Sequence, residues 1–473
     1  MRRSILCLSA LLSLGVLGSL AVRHDRTAAA PVRQADNTLT IWTCCGMWAG
    51  FQKSAIAGSG IAYVGYYKDL WNKRFPGLKI KEVDLQSYSD MVAKTILAVN
   101  AGNPPDLIGT QGELGLLVAR KAVQPLDSYF QRDKLTASMF LPAMANWARI
   151  KGHWYAIPAT SNPSAGEILY IPAFVKAAGW DPNKIPATWD QLWTATQKVT
   201  KWDSHGNLVR IGVPVTGDQK DAINLFCGTF AIYDAKTSKF HANSPCIKDY
   251  FRYEQRLLKF YGGVAKYTKF ISGDAGIWGG ATPKAYVPTG RIVFSFPDAY
   301  WSGQQIDNFW NVDWRLAPPP TPHGTLAERR AIRTTAWQVE IPTGAKHSKL
   351  AFDFAKYTFI DYGYVQGPTT NGYTVRAQAE KWARVVVRTA GQIRAGHHYP
   401  GNPMAAAAKL VMQDAELGQA YLPTDVAAPY YNQQLTRAWQ QIEYGRASVD
   451  QALDQMQRLV DNQQRVLHAQ YGM

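Results

Sequence analysis

An α/β fold divided between two domains is what this sequence predicts, and three observations predict it. Between Leu39 and Ile108 apolar strands alternate with amphipathic helical segments; a strand near Gly152–Pro158 runs into a proline and is followed by a fresh strand and helices; and a proline-rich run, Leu316–Pro322, interrupts the chain again. A chain of 473 residues is also too long for one compact core. Hydrophobic residues make up 47% and charged residues only 18%, which fits a globular chain and excludes a disordered one.

The elements follow in order. Leu39–Trp42 reads as a short strand, and the helix expected over 63–75 places Tyr63, Tyr67, Leu70 and Trp71 on one face before Pro76 and Gly77 stop it. Leu78–Val83 is the next strand. Ser87 to Asp90 is a capping start for a helix carrying Met91, Thr95, Ile96 and Val99, after which Pro104–Ile108 opens another strand. Strand, helix, strand, helix, strand within so short a span is a parallel α/β lobe, whose ligands bind beyond the carboxyl ends of the strands. After the first proline crossing, Ile168–Ile171 reads as a strand, Thr188 caps a helix, and Ile211–Val215 and Thr289–Phe296 are strand-like. Helices are expected over Asp221–Phe230, Cys246–Tyr261 and Ser348–Asp361. The last one, after Ser448, buries Leu453, Met456, Val460 and Leu467.

Several of these runs resemble, in order, the extracellular solute-binding proteins of sugar ABC importers, the family typified by maltose-binding protein. They are Phe75–Ile80, Pro105–Ile108, Gln124–Asp127, the long stretch Gly152–Leu192, Pro297–Ser302, Ala336–Pro342 with the following helix, and Tyr421–Pro423 before Tyr430 and Tyr431. The resemblance implies a periplasmic-binding-protein fold with three crossovers between two lobes. Lobe one would take 31–158 and 322–420, lobe two 159–321 and 421–473. It further implies a small-molecule solute, a mono- or oligosaccharide in most of the family, delivered to ABC permease subunits by a monomer without metal or cofactor.

Site residues carried over position by position are Thr43, Cys44 and Trp48 after the first strand, and Thr110, Gln111 and Glu113 after the third. The second lobe contributes Asn224, Tyr300 and Trp301, and the later crossings contribute Trp337, Tyr430 and Tyr431, with Asn371 and Tyr373 after Gly367 and Pro368. The family's usual Gly-Gly is replaced by Ala336–Trp337, and its loop near Trp48 is longer here. Aromatic faces grip the C–H face of a sugar ring, so the 16 Trp and 24 Tyr suit that ligand, although most such rings serve packing. A polyol or an anionic solute such as a glycerol phosphate is the alternative.

The rival class is an enzyme, a secreted glycoside hydrolase with Glu113 and Asp298 as paired carboxylates. Carboxylates in a sugar cleft also accept hydrogen bonds without doing chemistry. The chain has no Gly-x-Ser-x-Gly elbow, phosphate loop or His-Glu-x-x-His pair.

Residues 1–30 read as an export signal, with Arg2 and Arg3 ahead of an apolar run from Ile5 to Val22 that is also long enough for an uncleaved anchor. The expected location is the periplasm or the outer face of the membrane. Cys227 and Cys246 are a plausible disulfide in such a compartment; adjacent Cys44 and Cys45 are open to being free, bridged to each other or paired elsewhere. The formal charge of +16 is scattered over separate segments without a basic block, so a nucleic-acid partner is not expected.

Overall fold

The computed structural model describes residues 37–44, 71–85, 87–164, 167–272, 289–296, 313–361, 409–410 and 413–472. The expected leader, and Trp48, Asp298, Tyr300, Trp301, Asn371 and Tyr373 among the residues expected at the site, lie outside them. The first lobe is built on a five-stranded sheet. Its strands are β1 (Thr38–Cys44), β2 (Lys79–Leu85), β3 (Leu107–Thr110), and two long strands that arrive later in the chain. β1 pairs in parallel with both β2 and β3, as the strand–helix alternation demands. Between them, α1 (Tyr88–Asn100) begins where the Ser87 hydroxyl accepts from the Asp90 amide at 3.1 Å. A short α2 (Leu114–Ala119) follows β3.

The chain then leaves the lobe in β4 (Ile157–Ser164) and enters β5 (Ile168–Tyr170) of the second lobe. There α3 (Trp189–Val199) starts at Thr188, whose hydroxyl accepts from the Gln191 amide. Helices α4 (Lys220–Cys227) and α5 (Pro245–Phe260) are tied by the expected disulfide between Cys227 and Cys246. Cys44 is also disulfide-bonded. β6 (Arg315–Ala317) pairs antiparallel with β5. The expected strands at 211–215 and 289–296 contribute only isolated bridges, at Ile211–Ile292 and Leu169–Ser295.

The return to the first lobe is β7 (Arg333–Glu340), which pairs antiparallel with β3 and β4 and completes the sheet order β2-β1-β3-β7-β4. Sequence alone drew the lobe boundary at 321/322, in the proline run. Ala331 and Ile332 still pack in the second-lobe core, so the run stays inside that lobe and the crossing is β7 itself. Three register irregularities between Arg333 and Gln338 bend β7 where it leaves the sheet. The third crossing runs beside it: the Thr334 amide donates to the Ala420 carbonyl, and the Leu422 amide to the Thr335 hydroxyl at 3.2 Å.

One core joins residues 39–159 to Val339–Ile360, including α6 (Ser348–Ala355). There Trp154 stacks on Phe130 with centroids 4.2 Å apart, and Trp71 meets Phe354. A second core spans Ile168–Ile332. A third joins α4 and α5 to α7 (Ala428–Glu443) and α8 (Val449–Tyr471). Ser448 and Gln451 cap α8 reciprocally, and its stripe of Leu453, Met456 and Val460 is buried. Among the described residues no helix is long and apolar enough to cross a membrane.

Candidate functional site

Two loops, one from each lobe, are presented to each other by polar anchors. In the first lobe β3 ends at Thr110, and the chain turns through Gly112, whose φ of +96° suits glycine. A Cβ there would also stand 3.2 Å from Leu422 of the third crossing. The turn is tied by Glu113, whose Oε2 accepts from the Gln111 amide at 2.8 Å. In the second lobe the anchor is Glu254 of α5, 1% exposed. It accepts from the Thr216 amide at 2.7 Å, the Thr216 hydroxyl at 2.9 Å and the Gly217 amide at 2.9 Å. That fixes the approach to α4, so that Asp218, Gln219, Lys220 and Asp221 emerge together.

These loops enclose a cavity of about 950 Å³, a size suited to a small solute. Val92, Ile96 and Leu97 of α1, with Gln111 and Glu113, form one wall. Asp218, Lys220, Asp221 and Asn432 form the other, and Arg333, Leu422 and Pro423 of the crossings lie between. Arg333 donates from Nε to Asp221 Oδ1 at 2.8 Å and also to the Thr335 carbonyl, so the bent strand is joined to α4. Lys220 Nζ donates to Asn432 Oδ1 at 2.9 Å. Burial pushes the Glu113 carboxyl up to about 7, against the pull of the Gln111 amide and Lys220, and burial draws the Lys220 ammonium below its ordinary value. A second hollow, of about 580 Å³ near Tyr170, Pro186 and Arg329, is lined by the second lobe alone and has no wall from the first.

Of the residues expected at the site, Gln111 and Glu113 line the cavity. Thr43, Cys44 and Thr110 are fully buried at the ends of β1 and β3. The Thr110 hydroxyl donates to Glu340, a carboxyl that burial holds well above its usual range, and the Thr43 hydroxyl donates to Glu82 at 3.3 Å. Trp337 is partly buried against the first-lobe core, and Tyr430 against the third. None of these five lines the cavity, and two further expected contacts face elsewhere. Asn224 is buried, and its carboxamide oxygen accepts from the Ala231 amide at 2.9 Å to hold the loop after α4. Tyr431 stacks on Phe240 and donates its hydroxyl to the His241 carbonyl. Neither lines the cavity, because the packing of α4 and α7 turns them into the third core. Lys220, Asp221, Arg333 and Asn432 were not anticipated. The charged run Asp218–Asp221 just after Gly217 was the available signal, but the helix was expected to begin only at Asp221.

The model of the bacterial extracellular solute-binding protein family matches residues 67–363. Among characterised relatives, the sn-glycerol-3-phosphate-binding periplasmic protein UgpB of Pectobacterium atrosepticum is 28% identical over 135 residues, 28% of this chain and 30% of that protein. UgpB of Salmonella typhimurium is 27% identical over 133 residues, 27% of this chain and 30% of that protein. The chain thus matches less than a third of the length of these relatives. Among solved structures, CpMnBP1 with mannotriose bound aligns with a TM-score of 0.64 at 22% identity, covering 90% of this chain and 100% of that one. The sugar-binding protein MalE of Xanthomonas citri aligns at 0.61 with 13% identity, covering 90% and 97%. These structures share the two-lobe fold.

Proposed function

The chain belongs to the bacterial extracellular solute-binding protein family, and from that premise we propose that it is the exported solute-binding component of an ABC importer. Its solute is a neutral mono- or oligosaccharide held between the lobes and handed to a membrane permease. The observation that carries the sugar over a glycerol phosphate is the charge of the cavity. Asp218 and Asp221, with Glu113 to the extent that it is ionised, offset Arg120, Lys220 and Arg333, and Arg333 is already paired with Asp221. A phosphate dianion calls for surplus cations and amide donors, whereas hydroxyls, which both donate and accept, suit a wall of mixed carboxylates, amides and an ammonium. Tyr300 and Trp301 are the rings proposed to stack on the sugar.

Binding is a hinge motion. A solute that touches Glu113 on one lobe and Lys220 on the other makes both contacts best when the lobes approach, and so shifts the population toward closure. The protein acts without chemistry on its solute, as a monomer with no nucleic-acid partner, exported by its first 30 residues. A thermal-shift screen tests this with mannobiose, mannotriose, a polyol and sn-glycerol-3-phosphate. A bound solute at 100 times its dissociation constant stabilises by about 2.7 kcal/mol. Stabilisation by an oligosaccharide and not by the phosphate ester is expected; the reverse pattern overturns the sugar reading, and new reducing ends on incubation overturn the non-enzymatic one.

A further inference from the structure

Of the five cysteines, at 7, 44, 45, 227 and 246, two are accounted for by the bridge between α4 and α5. Cys44 is disulfide-bonded as well, which leaves Cys7 or Cys45 as its partner within the chain. Cys7 falls in residues 1–30, the export signal proposed above, so a chain that has shed its signal retains only Cys45, the next residue. Cys45 itself lies outside the described residues. Cys44 ends β1 and is fully buried. On one side it pairs with Leu85, the last residue of β2; on the other, continuing the register of Ile41 with Leu107 and Trp42 with Ile108 sets it level with Thr110, the last residue of β3. The chain therefore leaves β1 at the same carboxyl edge of the sheet from which Gln111 and Glu113 enter the cavity wall.

We propose that Cys44 is bridged to Cys45, and that this bridge is a redox-sensitive tie on the turn out of β1, holding the turn for solute when oxidised and releasing it when reduced. The effect on solute rests on the binding function proposed above. A ring closed over a single peptide bond removes rotational freedom from the two residues where the strand ends, so less of it has to be lost when solute binds. Adjacent Cα atoms stand about 3.8 Å apart, below the roughly 4.4–6.8 Å of ordinary disulfides, whereas those of Cys227 and Cys246 are 5.7 Å apart. The adjacent bridge is therefore the more reducible of the two, and labile bridges of this kind are the ones that serve regulation. Its formation passes two electrons and two protons from the two thiols to a disulfide-exchanging oxidant of the export compartment. A dithiol such as dithiothreitol returns them and is itself left as a cyclic disulfide.

Peptide mapping of the exported protein tests the bridge. Trypsin releases residues 34–53, which hold Cys44 and Cys45 and no other cysteine. Without reductant this peptide should be two hydrogens lighter than after dithiothreitol and should resist alkylation. In the parent it should open at a lower dithiothreitol concentration than the bridge between Cys227 and Cys246. Calorimetric titration with mannotriose tests the tie in Cys227→Ala/Cys246→Ala, where only the bridge at Cys44 remains. Reduction should weaken binding about tenfold, the equivalent of ordering roughly one more residue on binding, and reoxidation should restore it. Adding Cys45→Ala should give the weaker affinity and abolish the response to dithiothreitol. Two alkylated cysteines in the non-reduced peptide, or a Cys44 linked to Cys7 or to a second copy, overturn the bridge. Equal affinity before and after reduction, or a Cys227–Cys246 bridge that opens first, overturns the redox role. A parent that binds no oligosaccharide overturns the sugar reading instead, and the mapping still decides the bridge.

Discussion

Replacing Glu254 with Ala tests how the second lobe presents its half of the cleft. The carboxylate is buried in α5 and holds the entrance to α4 through the Thr216 amide, the Thr216 hydroxyl and the Gly217 amide. Tyr250 supports the same loop, meeting the Thr216 hydroxyl at 2.9 Å and donating to the Gly217 carbonyl at 2.9 Å. Removing the carboxylate leaves two buried amides without an acceptor, at about 1–3 kcal/mol each, and opens a small void; the total is about 3–5 kcal/mol. Glu254→Gln keeps an acceptor of the same shape and should cost about 1–2 kcal/mol. Urea denaturation followed by tryptophan fluorescence reads both, and Trp189 and Trp193 of α3 report on the second lobe. Solute affinity should fall in Glu254→Ala even where the protein stays folded, because Asp218–Asp221 lose their anchor. An Ala variant within about 1 kcal/mol of the parent, binding solute normally, would show that Glu254 does not hold this loop in place.

The same carboxyl sets a pH dependence. In the fold, burial raises Glu254 from an ordinary 4.5 to about 7, against the opposing hydrogen bonds from Gly217 and Thr216. The folded chain therefore keeps a proton that the unfolded chain releases, so this contribution is full below pH 4.5 and is lost as pH rises through 7, by about 3 kcal/mol. Glu113 acts in the same direction. Melting should be higher at pH 5 than at pH 8, and Glu254→Gln should flatten the difference; the opposite order contradicts the assignment. Replacing Cys227 and Cys246 together by Ala, which removes their bridge, 19 positions apart, and leaves that of Cys44 intact, should cost about 3 kcal/mol by loop-closure entropy, read as a lower unfolding midpoint in urea. Gly115→Ala should destabilise by more than about 2 kcal/mol, since the new Cβ would lie 1.7 Å from the Thr424 carbonyl oxygen where α2 meets the third crossing. Normal stability in that variant would mean the crossing yields readily.

Helix starts and stops in both lobes were legible because each carries its own punctuation. Ser87 and Thr188 cap the helices they were expected to cap, and Gly77 takes the positive φ that ends the helix before β2. The disulfide was legible from spacing and compartment. The boundary was not, because Pro318–Pro322 has linker chemistry wherever it falls, and only packing shows that Ala331 and Ile332 belong to the second core. At the site, Gln111 and Glu113, which line the cavity, came from the family resemblance carried over position by position. Asn224 and Tyr431 were misplaced for a rotational reason: a helix position says little about which face meets the cleft, and on α4 and α7 those faces turn to Phe240, His241 and Ala231. Arg333 was hidden because it acts through a partner 112 residues earlier, Asp221, which no local pattern links to it.

The central claim is that a neutral oligosaccharide binds between the lobes and draws them together. Small-angle X-ray scattering of the exported chain, with and without saturating mannotriose, tests it most directly. A smaller radius of gyration is expected in the presence of the sugar, and a smaller compaction, in keeping with weaker binding, with Glu113→Gln/Lys220→Met at the same sugar concentration. Saturation by mannotriose with no compaction of the parent, or compaction produced by sn-glycerol-3-phosphate and not by the sugar, would contradict it.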